Sequence, residues 1–402
     1  MSFEPVKKYT GPEEFVEETV ERIRYAVADE TVLGFLSGGI DSTTCGKLAV
    51  KALGERGFRG RHFDHGGMRK DEWKDVIYYL NNGCGIPTSF HDYSETFLKA
   101  VMEAGADAEK KREVVSKTYF DLALKEAKMF DAKFFIHGTI EPDWLETSTL
   151  KLKRQHNVLL EEQKKRFKEE GIEVIEPLYY LRKPQVREVA RYLGLPSEVT
   201  ERKPFPGPGL YCRAIGQVTV EKMEVLREVD ALVRPKLEEV TASMLRYSSQ
   251  EDMDYQCLCA LVDNKTNKIE IEVHPDVDIE DPRVTEDKVT GMIEGKRSYT
   301  KLLLFDSWDE TKDLIDYSEE IIKDNINKGI GRCATLLWRG DPRGKYLVIL
   351  RSILTKDFTT AQVTPIPRDI LRDDIASEIR MREIAGVYYD ITPKPPATIE
   401  FE

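Results

Sequence analysis

Residues 33–53, LGFLSGGIDSTTCGKLAVKAL, decide the fold class of this chain. The apolar run at 31–36 predicts a short buried strand, and from Ser42 onward apolar residues recur at helical spacing. Between them, Gly38 and Gly39 permit a tight turn whose backbone N–H groups converge above the helix N-terminus, where the helix dipole favours an anion. The stretch therefore predicts a strand, a glycine turn and a helix that together cradle phosphate.

Asp41 lies inside this cradle and restricts its ligand. No lysine follows as it does in the G-x-x-x-x-G-K-[ST] loop, and a carboxylate would repel phosphate unless a divalent cation lay between them. We therefore expect a magnesium-bound pyrophosphate, with Asp41 as the metal ligand. On the turn alone, the alternative stays open that this is an ordinary strand-to-helix junction with Asp41 or Ser42 near the helix cap.

Length, composition and charge limit the function classes. The 402 residues predict two or three domains, and 41% hydrophobic residues can build sizeable cores. The apolar runs are shorter than the roughly 20 residues of a membrane span, and the N-terminus lacks a signal-peptide pattern, so we expect a cytoplasmic protein with no membrane association. A net charge of −12 argues against nucleic acid and favours small-molecule substrates.

The six cysteines predict reduced thiols, because the sequence contains no C-x-x-C pair and is too long for a disulfide framework to be needed. We accordingly expect no structural metal. Cys257 and Cys259 lie in an apolar context, which favours core packing over sulfur chemistry. The sequence shows neither internal repeats nor low-complexity segments.

The string SGGIDS at 37–42 resembles the PP-loop of the ATP pyrophosphatases, which cleave ATP between its α and β phosphates and adenylate a substrate oxygen. The resemblance implies that this loop holds the leaving pyrophosphate together with Mg²⁺, so ATP would be a substrate. It assigns the ATP and pyrophosphate contacts to Ser37, Gly38, Gly39, Asp41 and Ser42. The motif does not specify the second substrate.

Residues 61–72, RHFDHGGMRKDE, follow the position of the second strand. The carboxyl ends of strands in an open α/β sheet border the nucleotide crevice. Asp64 and Arg69 are therefore candidates for the ribose or phosphates of ATP, and a solvated loop is the alternative.

Residues 133–147, KFFIHGTIEPDWLET, are again an apolar strand that runs into a polar turn. They resemble the Q-G-T-x-x-P-D-x-x-E segment of GMP synthetase, with His137 in place of the glutamine. The resemblance places Gly138 and Thr139 at ATP, and Asp143 and Glu146 at the nucleotide substrate.

The next segment, LKRQHNV at 152–158, resembles the I-K-S-H-H-N-V lid of the same family. It keeps Lys153 and His156 but lacks the first histidine of that pattern. Lys153 is a candidate for stabilising the charge that develops on pyrophosphate, and His156 is a catalytic candidate whose role in proton transfer we leave unassigned.

The segment 201–216, ERKPFPGPGLYCRAIG, contains three prolines and two glycines within six residues, which predicts a stiff, shaped loop. A domain linker is the alternative. The segment resembles R-H-P-F-P-G-P-G-L of GMP synthetase, with Lys203 replacing the histidine. In that family it borders the nucleotide substrate and opens the C-terminal domain, which implies contacts from Arg202, Pro206, Gly207 and Arg213.

The C-terminal sequence VYYDITPKPPATIEFE, at 387–402, resembles the V-V-Y-D-I-T-S-K-P-P-A-T-I-E-W-E ending of GMP synthetase. Phe401 replaces the tryptophan. The resemblance implies that the lysine pairs with the phosphate of xanthosine monophosphate, and that the glutamate and nearby backbone recognise the purine. It assigns these contacts to Lys394, Thr398, Ile399 and Glu400.

We therefore predict an α/β fold: a parallel doubly wound PP-loop sheet in residues 1–205, followed by a smaller α+β C-terminal dimerisation domain in residues 206–402. Residues 259–337 have no counterpart in the compact C-terminal domain of that family, so we expect an inserted α/β unit there. Within it we expect strands at 268–273, 301–305 and 334–338, a helix at 308–326, and a solvated acidic loop at 273–287.

The resemblance implies an ATP-dependent ligase that aminates xanthosine monophosphate to GMP through an adenylated intermediate and releases AMP and pyrophosphate. Too few residues precede the PP-loop for a glutaminase domain, so we expect ammonia from a separate glutamine amidotransferase subunit, with free ammonium as the fallback. We also expect a homodimer through residues 340–402, with Arg351 near the contact, and an amphipathic helix at 368–384 within this segment. Two alternatives remain: a paralogue that adenylates another carbonyl or carboxylate, and a PP-loop tRNA thiolase.

Overall fold

The computed structural model describes residues 2–142, 154–203, 205–247, 253–293, 296–356 and 359–402. The chain divides into two compact units. Unit 1 contains Met1–Ala100 and Glu113–Lys203, and unit 2 contains Val101–Arg112 and Pro204–Glu402. Among the described residues, no helix combines the length and the apolar composition needed to cross a membrane.

A five-stranded parallel sheet forms the centre of unit 1. Its strands lie in the order β3-β2-β1-β4-β5. The bounds are β1 Val32–Phe35, β2 Phe58–Asp64, β3 Thr88–Asp92, β4 Phe134–Ile136 and β5 Glu173–Ile175. The chain moves outward from β1 in one direction and then from β4 in the other, so the switch point of this doubly wound sheet lies between β1 and β4.

Helices flank this sheet in the order of the chain. They are α1 Pro12–Val27, α2 Ile40–Gly57, α3 Glu72–Tyr78, α4 Ser94–Ala104, α5 Ala108–Met129, α6 Arg154–Glu169, α7 Lys183–Tyr192 and α8 Ser197–Thr200. In α1, a proline and two glutamates occupy the first turn and Arg24 the last, which suits the helix dipole. The apolar faces of α1, α2 and α7 meet in one core that includes Phe15, Leu48 and Val186.

The second segment of unit 2 starts with a 3₁₀ turn at Gly209–Arg213, which is followed by the long helix α9, Val220–Arg246. Thr219 caps α9, since its side-chain oxygen accepts a hydrogen bond from the backbone N–H of Lys222 at 3.1 Å. The strands are β6 Asp254–Asp263, β7 Thr266–Lys268, β8 Glu280–Ile293, β9 Lys296–Asp306, β10 Ile330–Arg339, β11 Tyr346–Thr355, β12 Gln362–Val363 and β13 Ile384–Asp390, with helix α10 at Thr311–Asn325.

The large sheet of unit 2 has two halves with the same connectivity. In one half, β6 pairs antiparallel with β11, and β11 runs parallel to β13 after short helical turns at Ile370–Ile375 and Ala376–Glu378. In the other half, β8 pairs antiparallel with β9, and β9 runs parallel to β10 after α10. Antiparallel pairing of β10 with β13 joins the halves. The second half lies almost entirely within residues 259–337, which the sequence predicts to be an insertion, and it repeats the topology of the first half.

The predicted α/β class is confirmed, with a parallel doubly wound sheet in unit 1 and a mixed sheet in unit 2. Within the insertion, the strand predicted at 301–305 lies in β9, the helix predicted at 308–326 is α10, and the strand predicted at 334–338 lies in β10. Cys257 and Cys259 are buried in the core of unit 2, as expected.

Three local predictions are wrong. The strand predicted at 268–273 stops at Lys268, because β7 pairs only with Arg283–Thr285 of β8. The loop predicted at 273–287 becomes strand β8 from Glu280 onward. The helix predicted at 368–384 consists of a π turn and a 3₁₀ turn, although its apolar residues Leu371, Ile375 and Ile379 are buried. Arg351, expected near a subunit contact, is fully buried within this chain.

Candidate active site

The glycine turn after β1 has the backbone that the sequence predicts. Gly38 has a φ of 76°, and α2 begins directly after the turn. A Cβ atom at position 38 would lie 2.1 Å from the Tyr79 hydroxyl oxygen and 2.7 Å from a guanidinium nitrogen of Arg202. Both the backbone conformation and the close packing therefore require glycine here.

Two serine hydroxyl groups flank the two glycines of this turn in sequence and lie close to each other. The Oγ atoms of Ser37 and Ser42 lie 3.0 Å apart, and the Ser42 hydroxyl also donates to the carbonyl of Gly39 at 3.2 Å. The backbone N–H of Gly39 donates to Ser37 Oγ at 3.2 Å. The loop thus presents hydroxyl and N–H donors at the N-terminus of α2, where an anion is favoured.

Asp41 forms an ion pair with Lys183, which lies at the start of α7. The pair uses only Oδ2 of Asp41, and the buried Oδ1 atom has no hydrogen-bond partner. Within the described residues, no three His, Cys, Asp or Glu side chains form a group that could hold a metal ion. A single carboxylate oxygen beside a phosphate cradle suits Mg²⁺, which takes few protein ligands and completes its shell with phosphate and water.

The segment after β4 packs directly on the start of α2. A Cβ atom at Gly138 would lie 3.0 Å from the backbone N of Ser42, so this glycine permits the close approach. The Thr139 hydroxyl donates to Glu176 at 2.6 Å and lies 2.8 Å from Nδ1 of His137. Burial lowers the pKa of His137, which keeps its imidazole neutral near pH 7.

Arg202 contacts two side chains next to the glycine turn, those of Tyr79 and Glu72. Its guanidinium donates to the Tyr79 hydroxyl at 2.8 Å and pairs with Glu72, and the Tyr79 hydroxyl donates to the carbonyl of Gly38 at 2.9 Å. Arg69 also pairs with Glu72, at 3.3 Å. Burial would raise the pKa of Glu72, but the two guanidinium groups outweigh burial and lower that pKa. The predicted substrate contact Arg202 and the predicted ATP contact Arg69 thus share one carboxylate.

Asp64 lies at the carboxyl end of β2, where the sequence predicts an ATP contact. Its Oδ1 atom accepts a hydrogen bond from the backbone N–H of Gly66 at 2.7 Å, so the carboxylate shapes the turn that follows β2. Because β1 and β2 run parallel, this turn and the glycine turn after β1 lie at the same end of the sheet.

Unit 2 contains the second group of predicted site residues. Arg213 is fully buried, and its guanidinium donates two hydrogen bonds to Glu400, at 2.9 and 3.0 Å. Burial would raise the pKa of Glu400, but Arg213 outweighs this effect and lowers it, so the carboxylate is ionised. Pro206 lies in the turn that precedes Arg213, since its carbonyl accepts from Gly209 N–H at 2.8 Å, and Gly207 is exposed at the tip of that turn.

The remaining predicted tail residues lie in the segment after β13, which forms isolated bridges at Lys394 and Ala397. Lys394 pairs through its backbone with Ala361, and it lines a cavity of about 1360 Å³ together with residues of α10 such as Lys323. The Thr398 side chain accepts a hydrogen bond from Arg332 at 2.7 Å, and Ile399 packs against the core of unit 2. Lys394 and Glu400 are therefore fixed within the same unit.

Four predicted site residues cannot be placed. Asp143, Glu146 and Lys153 lie outside the described residues, and so does the side chain of His156. The sequence did not indicate contacts by Lys183, Tyr79 or Glu72. Lys183 pairs with Asp41, the Tyr79 hydroxyl donates to the carbonyl of Gly38, and Glu72 pairs with Arg202. Lys183-Pro184 signals a helix start, but no local pattern links that helix to Asp41.

An all-parallel sheet with an anion-binding glycine turn after its central strand defines a nucleotide-binding α/β protein of the PP-loop class. Residues 335–401 match the family model described as GMP synthase C terminal domain, and residues 10–115 match the model described as NAD synthase. In Saccharolobus solfataricus, one subunit of GMP synthase (glutamine-hydrolyzing) is 36% identical to this chain over 396 residues, which are 97% of this chain and 99% of that protein.

The subunit of the same name from Methanopyrus kandleri is 31% identical over 394 residues, which are 97% of this chain and 99% of that protein. This chain therefore belongs to the family of this GMP synthase (glutamine-hydrolyzing) subunit. A solved structure of NMN synthetase from Francisella tularensis aligns with 56% of this chain and 87% of that chain at 18% identity, with a TM-score of 0.40 that is too low to bear on function.

Proposed function

We propose that this chain aminates xanthosine monophosphate to GMP at the expense of ATP, through an adenylated intermediate, and releases AMP and pyrophosphate. The observation that carries the proposal is the glycine turn at 37–42, which has two hydroxyls 3.0 Å apart at the start of α2 and a carboxylate whose Oδ1 atom has no partner. Such a turn suits a phosphate-containing anion such as pyrophosphate, with a divalent cation beside the carboxylate. Family membership supplies the second substrate.

In the proposed reaction, the 2-oxygen of the xanthine ring attacks the α phosphorus of ATP. The backbone N–H groups of the turn and the hydroxyls of Ser37 and Ser42 bind the leaving pyrophosphate, and the ammonium group of Lys183 neutralises charge beside it. Lys153 is proposed to do the same from the following segment. Positioning and charge stabilisation supply most of the rate enhancement in such a transfer.

Asp41 would hold Mg²⁺ through Oδ1, the atom that has no partner in the protein. Held there, magnesium would supply positive charge that offsets the charge of the phosphates. Because Lys183 already pairs with Oδ2, the carboxylate would serve the metal and the lysine with different oxygens.

For the nucleotide substrate, we propose that Lys394 pairs with the phosphate and that Glu400 accepts hydrogen bonds from the purine. Glu400 is held ionised by Arg213, so it is an acceptor at neutral pH. After adenylation the 2-carbon accepts ammonia, and AMP leaves. We infer that the ammonia comes from a separate glutamine amidotransferase subunit and that the reaction takes place in the cytoplasm.

We also propose a homodimer through residues 340–402. Both neighbours of β13 belong to the same chain, namely β11 and β10, so the dimer contact would use other surfaces of this segment. Light scattering at micromolar concentration tests it, with an expected mass of twice the 46.2 kDa of one chain. A mass near 46.2 kDa would show that the chain needs no second copy.

The decisive experiment incubates the purified chain with ATP, Mg²⁺, ammonium and xanthosine monophosphate labelled with ¹⁸O at the 2-position. We expect GMP and AMP in equal amounts, with the label in the phosphate of AMP, because the ring oxygen leaves on the α phosphorus. Omission of ammonium should prevent GMP formation. If a folded protein forms neither product, the paralogue that adenylates another carbonyl or carboxylate replaces this proposal.

A further inference from the structure

The inserted half of the large sheet forms hydrogen bonds with the C-terminal tail, residues 394–402. The backbone N–H of Thr290 donates to the carbonyl of Phe401 at 2.7 Å, and that of Met292 donates to the carbonyl of Pro396 at 2.6 Å. Gly291 and Ala397 form an antiparallel bridge between these two contacts. Strand β8 thus holds the tail along its length.

The side chain of Thr290 adds a second layer of contacts. It is fully buried, its hydroxyl donates to the carbonyl of Glu400 at 3.0 Å, and it lies within hydrogen-bond distance of the Thr398 hydroxyl. These contacts fix the residues on either side of Ile399. A buried hydroxyl that bonds to Thr398 and Glu400 of the tail is a positioning group, because each such bond contributes about 1 kcal/mol to holding the tail in place.

Arg332, on β10 of the same inserted half, holds the same two positions. Its guanidinium donates to the carbonyls of Thr398 at 2.6 Å and Glu400 at 2.7 Å, and its Nε donates to the carbonyl of Thr290 at 2.7 Å. The Phe401 ring lies 4.4 Å from this fully buried guanidinium. Asp390 balances the charge at 2.9 Å.

We propose that the inserted half positions the nucleotide-substrate site, with Thr290 and Arg332 as positioning residues that fix the tail before the substrate arrives. This inference rests on the proposed function, since it assigns the tail to xanthosine monophosphate. A tail that is already ordered loses less conformational entropy when the purine binds, and binding is correspondingly tighter. The insertion thereby sets the affinity for the nucleotide substrate and leaves ATP binding unaffected.

The test compares Thr290→Val, which removes the hydroxyl and keeps the shape, with Thr290→Ser, which keeps the hydroxyl. The matched control is Thr300→Val in β9, a buried threonine whose hydroxyl donates to the carbonyl of Val289 within the insertion, at 3.2 Å. We expect Thr290→Val to raise KM for xanthosine monophosphate by about 5-fold, the equivalent of about one hydrogen bond, with kcat and KM for ATP within about 2-fold of the wild type. Thr290→Ser and Thr300→Val should retain the wild-type KM.

Hydrogen exchange of the ligand-free protein gives a readout that does not depend on activity. Amides at 397–402 should exchange faster in Thr290→Val than in Thr300→Val. Equal exchange in the two variants overturns the inference whatever the substrate is. Faster exchange with an unchanged KM for xanthosine monophosphate refutes the positioning role. A wild-type protein that converts no xanthosine monophosphate refutes the proposed function, and the exchange comparison then decides alone whether Thr290 orders the tail.

Discussion

The glycine turn of unit 1 and the C-terminal tail of unit 2 both concentrate charged groups, but they use them differently. In the turn, Asp41 and Lys183 have side chains that are 28% and 41% exposed, and one oxygen of Asp41 has no partner. Behind the tail, Arg332, Arg351 and Asp390 are all 0% exposed, and both arginines pair with the aspartate. Charges at the turn are available to a ligand, whereas the charges behind the tail are buried and act through the tail that they hold in place.

This difference predicts opposite consequences of substitution. A change at the turn should lower activity and leave stability intact, because the groups involved are partly solvated. A change behind the tail should first lower stability, because a buried charge that loses its partner is strongly unfavourable. The following predictions measure how sharply the two regions differ.

The largest effect is expected from removal of residues 394–402. GMP formation should be abolished, because the deletion removes Lys394 and Glu400 and leaves the buried Arg213 of unit 2 without its hydrogen-bond partner. ATP should still bind, since the glycine turn belongs to unit 1. Fluorescence titration with an ATP analogue and the GMP assay check the two parts. Lys394→Gln is the milder control, which should raise KM for xanthosine monophosphate without unfolding the protein. A truncated chain that still makes GMP contradicts the assignment of the tail.

The second prediction concerns Asp390, whose Oδ2 accepts from Arg332 at 2.9 Å and from Arg351 at 2.8 Å. Asp390→Asn leaves two buried guanidinium groups without a counter-charge and should cost about 3–5 kcal/mol of unfolding free energy. Urea unfolding measures the loss. The matched control is Asp341→Asn, which breaks an ion pair with the exposed Arg343 and should leave stability unchanged. Equal stabilities of the two variants would show that the buried charges behind the tail stabilise the fold no more than an exposed ion pair does.

The third prediction returns to the glycine turn. Asp41→Asn removes the carboxylate beside the leaving pyrophosphate and should lower kcat by about 100-fold, because charge stabilisation at the transition state is lost. The melting temperature should stay close to that of the wild type, since only the partly exposed pair with Lys183 is broken. Undiminished turnover would exclude Asp41 from the reaction, and a large loss of stability would place it among the structural charges.

The sequence predicts the turn well because its geometry is local. Six consecutive residues specify the strand end, the positive φ of Gly38 and the helix start, and the neighbouring strands follow from apolar runs. Lys183 was missed because its contact with Asp41 joins residues 142 positions apart. Such a contact depends on where β5 and α7 pack, which no spacing within the sequence encodes.

The structure of the predicted insertion, residues 259–337, could be predicted from the sequence only in part. Strands β9 and β10 and helix α10 could be predicted from apolar runs and periodicity, whereas β8 could not. The repetition of the topology was also not predictable, because the two halves share connectivity without a sequence repeat. The alternation in KIEIEV, 268–273, predicts a strand that the structure ends at Lys268. Strand formation there depends on a partner, and β8 offers β7 only a three-residue register.

The smallest effect is expected from His65, which follows β2. It concerns the dependence of the unfolding free energy on pH. Burial lowers the pKa of His65 to about 4, and its Nδ1 accepts from the backbone N–H of Gly67 at 3.2 Å. The unfolded chain binds a proton below pH ~6.5, whereas the folded chain stays neutral down to about 4, so stability falls as the pH drops through this window. The loss should reach about 2 kcal/mol at pH 5.

The variant His65→Asn tests this prediction, because asparagine keeps an acceptor but does not titrate. Its unfolding free energy relative to the wild type should rise as the pH falls from 6.5 to 4 and should stay constant above pH ~7. Parallel pH profiles of the two proteins would show that this histidine is not buried in its neutral form.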